Sequence, residues 1–95
     1  MAADEPRIGV TKQGDEGFAV HVEDEISARD YDVTVPTELV AELGVSAGRL
    51  VEESFRFLLE REPKESILQN FALPVIERYF PEYPAEIRTR LRRTD

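Results

Sequence analysis

Cysteine and tryptophan are absent from this 95-residue chain, and histidine and methionine each occur once. Without cysteine there is no disulfide staple, no thiolate zinc site and no cysteine nucleophile. With His21 the sole histidine, a two-histidine zinc site within one chain is excluded, and only carboxylates such as Glu23 could join that imidazole at a metal. Basic residues are scarce as well: 12 Lys plus Arg stand against 20 Asp plus Glu, a net charge of −8. Such a chain repels polyanions wherever its cations are not clustered, which weighs against general nucleic-acid affinity. No apolar run approaches the length that spans a bilayer, and Met1-Ala2-Ala3-Asp4-Glu5-Pro6 is acidic where a secretory leader is basic. The expectation is a soluble cytoplasmic protein that carries no metal and no cofactor.

What is present suits one small domain. Hydrophobic residues make up 41% of the chain, near the globular norm, while the 34% charged fraction exceeds the usual quarter. A chain of this length closes a single core, and a thin one. Residues 1–6 have little to bury and read as a disordered tail, leaving 7–95 as one domain.

The first part of that domain alternates. Ile8-Gly9-Val10-Thr11-Lys12 and Phe18-Ala19-Val20-His21-Val22-Glu23 flank the turn-rich Gln13-Gly14-Asp15-Glu16-Gly17, the pattern of a β-hairpin. Its inward face carries Ile8, Val10, Phe18, Val20 and Val22, and His21 and Glu23 point away. Asp24 to Asp30 shows no period and reads as a charged connection. A third strand, Tyr31 to Val35, turns Tyr31, Val33 and Val35 inward and Asp32 and Thr34 outward, and Pro36 ends it.

After Pro36 the apolar spacing becomes helical. Thr37 is the expected N-cap of a short helix that Gly44 terminates. Ser46 caps a longer one, with Val45 and Leu50 as its hydrophobic staple. Its broad apolar stripe runs from Leu50 and Val51 through Ser54, Phe55, Phe57, Leu58 and Leu59, while Glu52, Glu53, Arg56 and Glu60 are expected to be wet. Pro63 stops it. Three further short helices are expected: one from Pro63 through Ile67, Leu68 and Phe71, one from Pro74 through Val75, Ile76, Tyr79 and Phe80, and one from Pro84 through Ile87 and Leu91. The fold class is therefore α+β, an antiparallel hairpin plus third strand over 7–35 followed by four to five short helices over 37–93. Charge is uneven along it: residues 1–62 hold 15 acids and 6 bases, and 63–95 hold 5 acids and 6 bases, ending in Arg88, Arg90, Arg92 and Arg93.

Catalytic constellations are missing. No serine lies in a Gly-x-Ser-x-Gly setting, no glycine-rich loop ends in Lys-Ser or Lys-Thr, and Asp30 and Asp32 lack the central glycine and distal glutamate of a calcium loop. The many carboxylates read as a solvated acidic face. Tyr79, Phe80 and Tyr83, crowded between Pro74 and Pro84, are the best candidates for a protein-binding patch, because aromatics give large contact area at small entropic cost.

The unit from Tyr31 to Glu62, strand, short helix, glycine turn and longer helix, resembles the ribbon-helix-helix family of dimeric repressors and antitoxins. The resemblance implies that the strand pairs with that of a second chain as an antiparallel ribbon in the major groove of DNA, while the second helix sets its amides against a phosphate. It would make Asp32 and Thr34 the outward ribbon residues with Arg29 as the neighbouring cation, and Ser46, Ala47 and Gly48 the phosphate anchor. Two readings follow. The first is a small, acidic, non-enzymatic protein-interaction module that self-associates, because the stripe of residues 50–59 exceeds what one small sheet can cover. The alternative is a dimeric DNA-binding regulator or antitoxin.

Overall fold

The structure, a computed structural model, describes residues 6–93. Most of the expected tail lies outside the described residues, and the first strand starts at Arg7 as the alternation requires. Strands β1 (Arg7–Gln13) and β2 (Gly17–Glu23) form the antiparallel hairpin, with Val10 opposite Val20 and Gln13 opposite Gly17. The turn needs glycine at its exit: a Cβ on Gly17 would stand 2.6 Å from the Gln13 carbonyl oxygen. Strand β3 (Ala28–Thr34) pairs antiparallel with β2, Val20 opposite Tyr31. It begins earlier than the alternation suggested, so Arg29 and Asp30 belong to the ladder and the connection shrinks to 24–27. Asp24 shapes that tight turn by accepting from the backbone N–H groups of Ile26 and Ser27 at 2.8 and 2.9 Å.

One face of the sheet is covered. Phe18, Val20, Val22, Tyr31, Val33 and Val35 are buried, with Ile8 and Val10 half-buried beside them, which is the inward set that the alternation defines. Helix α1 (Thr37–Leu43) ends at Gly44, whose φ of 70° is the left-handed conformation that a side chain resists. Thr37 is not its N-cap. Pro36 holds that position, and Thr37 instead donates its backbone N–H and its hydroxyl to the Glu16 carboxylate at 3.0 and 2.6 Å. Helix α2 (Ala47–Arg61) is capped as expected, the Ser46 hydroxyl accepting from Arg49 N–H at 3.3 Å.

Helix α2 buries two opposite sides. Phe55 meets Tyr31 of β3 at 5.1 Å between ring centroids, and Phe57, facing away from the sheet, meets Tyr83 at 5.3 Å. Tyr83 opens helix α4 (Tyr83–Arg93), which buries Ile87 and Leu91. The stripe is thereby covered within the chain, and the excess of apolar surface inferred from the sequence does not exist. Glu53, expected to be wet, is buried at the edge of the stripe, where Arg56 holds its carboxylate at 3.1 Å.

The largest departure follows Pro63. In place of a helix through Phe71 there is a single 3-10 turn, Lys64–Ser66, and then a fourth strand, β4 (Asn70–Ala72), parallel to β3 with Val33 opposite Phe71. The sheet order is β1-β2-β3-β4. The reason is long-range: beyond β3 the inner face needs an apolar cover, and an extended Phe71 supplies it by packing on Phe55 at 6.0 Å. A 3-10 turn, Leu73–Val75, leads into α3 (Ile76–Tyr79), so the helix expected from Pro74 is present in shortened form. The architecture is thus α+β, with one sheet backed on a single face by helices.

Candidate functional site

The aromatic trio proposed from sequence is split by the fold. Tyr83 is buried and its hydroxyl shares a 2.6 Å hydrogen bond with Ser54 Oγ, and burial pushes its phenol up to about 12. Phe80 is half-buried with its ring edge against Phe57 at 5.8 Å. Only Tyr79 stands out, 63% exposed. Tyr83 and most of Phe80 are core, because the turn Phe80–Glu82 directs the chain back across α2.

Beside Tyr79 lies the feature that the sequence did not announce. The C-terminal turn of α2, the segment leading into β4, and α3 enclose an apolar slot of about 130 Å³. Leu58, Ile67, Phe71 and Ile76 line it, with Leu68 and Tyr79 at its rim. Large apolar side chains exposed among the described residues are Ile26, Leu68 and Tyr79, and two of these three border this slot. The remaining one, Ile26, sits at the tip of the β2–β3 turn. A volume near that of a cavity that accepts benzene, about 150 Å³, suits one side chain. It falls well short of the roughly 300 Å³ at which small-molecule and cofactor sites begin.

Glu62 is the one charged residue lining the slot. It follows the last residue of α2 and its backbone N–H donates to the Leu58 carbonyl, but its carboxylate has no partner among the described residues. Beyond Pro63 and the 3-10 turn Lys64–Ser66 the backbone is extended again at Ile67, which is buried, while Leu68 stays outside. The adjacent Ile67-Leu68 pair was the available signal: two neighbouring apolar residues cannot both face one core from an extended chain.

The residues implied by the ribbon-helix-helix resemblance do not converge. Asp32 and Thr34 are exposed on the outer face of the sheet, whereas Arg29 lies on the other face with Tyr31 and Val33, its Nε buried without a partner among the described residues. Strand β3 has β2 on one side and β4 on the other, the latter pairing with Asp32, Val33 and Thr34. No free edge remains along those three residues for the strand of a second chain. Ser46, Ala47 and Gly48 start α2, and Ser46 Oγ is engaged by Arg49 N–H.

His21 is half-exposed on that same outer face, with Asp30 Oδ1 at 2.7 Å from Nδ1 and Glu23 Oε1 at 3.4 Å from Nε2. The hydrogen bond to Asp30, then that to Glu23, raises its pKa. Among the described residues no cluster of three or more His, Asp or Glu side chains is arranged to hold a metal, and no helix is long and apolar enough to cross a membrane. No family model, curated protein or solved structure matches this chain.

Proposed function

We propose that this chain is a small non-enzymatic protein-interaction module that receives one apolar side chain of a partner in the slot between α2, β4 and α3. The observation that carries the reading is the pairing of an apolar slot of about 130 Å³ with two exposed large apolar residues, Leu68 and Tyr79, on its border. Exposed apolar surface grouped around a concavity marks interaction sites, whereas single scattered residues do not. The size favours an anchoring side chain over a metabolite. His21, the one imidazole available for acid–base chemistry, lies on the outer face of β2 and does not line the slot.

The test is site-specific photocrosslinking in cells that express the full chain. A photoreactive residue replacing Leu68 is expected to give discrete adducts, and one replacing Thr11, on the outer sheet face, none. Equal adduct patterns from the two positions would reject the slot as the binding surface. An adduct of twice the chain mass from position 68 would identify the partner as a second copy.

A further inference from the structure

We infer that the partner segment seated in this slot carries a lysine or arginine next to its apolar anchor, and that Glu62 selects for that base. The inference rests on the slot being the binding surface and adds the chemistry of what binds there. A helix C-terminus is the negative end of the helix dipole, where cations are stabilising and carboxylates are not. Glu62 sits at that end of α2, after Arg61, with no cation on its carboxylate among the described residues. Arg61, the nearest base in sequence, is engaged elsewhere: its guanidinium donates to the Phe57 carbonyl at 3.2 Å, lies over the Phe57 ring at 3.7 Å and pairs with Glu82 at 3.1 Å.

The slot therefore sets a carboxylate, placed at the negative end of a helix, beside an apolar floor. A carboxylate placed against the local electrostatic rule, with no cation on it among the described residues, is where a functional constraint is to be sought. A ligand that buries an apolar side chain and presents a cation at Glu62 satisfies both halves. A net charge of −8 over the whole chain steers the same kind of partner toward it.

The experiment selects random octapeptides displayed on phage against the immobilised full chain, then measures fluorescein-labelled copies of the recovered peptides by anisotropy. Recovered peptides are expected to hold Leu, Ile, Phe or Met within two positions of Lys or Arg. Leu68→Ser and Tyr79→Ser, both at exposed positions, should each weaken them by about fivefold or more. Glu62→Gln should weaken them by about two- to fivefold, the range of a rim ion pair, and flatten their salt dependence. It should leave the melting temperature unchanged or higher, since an unfavourable helix-end charge is removed. Peptides that need Leu68 and Tyr79 but carry no base, or that ignore Glu62→Gln, overturn this inference and leave the slot reading standing. Peptides indifferent to Leu68→Ser and Tyr79→Ser, or a selection that enriches nothing, overturn both.

Discussion

Tyr83 and Ser54 form a buried side-chain hydrogen bond between α2 and α4, 2.6 Å long with Ser54 fully enclosed. Tyr83→Phe keeps the ring packed on Phe57 and strands the Ser54 hydroxyl, whose only local recourse is the carbonyl one turn back. Urea denaturation should show a loss of about 1 kcal/mol. The same phenol gives an alkaline signature. Its pKa in the fold is about 12, above the ordinary tyrosine value of 10.0. An unfolded chain loses this proton first as pH rises, so the stability this group confers is complete below pH 10 and declines between about pH 10 and 12. In Tyr83→Phe that part of the decline should vanish from the stability curve; an unchanged curve would show that burial of the phenol is not its cause.

Two polar devices hold the elements in place. Lys64 is buried and its ammonium donates to Asp24 at 2.6 Å, while its backbone carbonyl accepts from the Tyr31 hydroxyl at 2.6 Å. One residue thereby ties the β2–β3 turn, β3 and the segment before β4 together. The Lys64 ammonium, followed by the N–H groups of Ser27 and Ile26, pulls the Asp24 carboxyl down to about 2. The sign is that of an acid with a lowered pKa: its contribution is present above the ordinary value of 3.8 and is lost as pH falls through 2. Lys64→Met should lower the melting temperature at pH 7 and move the acid limb of the pH–stability curve upward. The second device is the α2 cap, and Ser46→Ala should cost about 1 kcal/mol in denaturation whether or not the helix start contacts any ligand.

At the scale of the whole molecule, a one-sided sheet leaves two kinds of surface. The outer sheet face is polar and built partly of small residues such as Gly9 and Ala19, and the helical side carries the slot, bordered by Leu68 and Tyr79, along with more polar clefts such as the one between α1 and α4 lined by Glu42, Arg88 and Arg92. Leu68 is 49% exposed, so Leu68→Ser should change stability by no more than about 0.5 kcal/mol while weakening what binds at the slot. Because α2 is already covered by the sheet and α4, its stripe gives no reason for copies of the chain to associate. Any self-association that sedimentation detects should run through the slot and fall away in Leu68→Ser. Persistence of a dimer in that variant would move the interface elsewhere, the free edge of β1 being the next surface to test.

The hairpin, the switch at Pro36, the stop at Gly44 and the Ser46 cap were legible in the sequence because each is settled by residues a few positions apart: alternation across a tight turn, one left-handed glycine, one hydroxyl aimed at an amide three residues on. The strand at Phe71 was not, since parallel pairing joins segments separated by a long crossover and depends on what the far side of β3 leaves uncovered. Helix-like spacing from Ile67 to Phe71 could not reveal that demand. The same holds for the candidate site. Tyr79, Phe80 and Tyr83 are neighbours in sequence, but packing against Phe57 decided that only the first stays outside, and Leu68 and Glu62 came to its side from other elements. Local rules fixed which segments would coil, extend or turn; tertiary packing decided which apolar side chains were left over, because burial is shared out among all the elements at once.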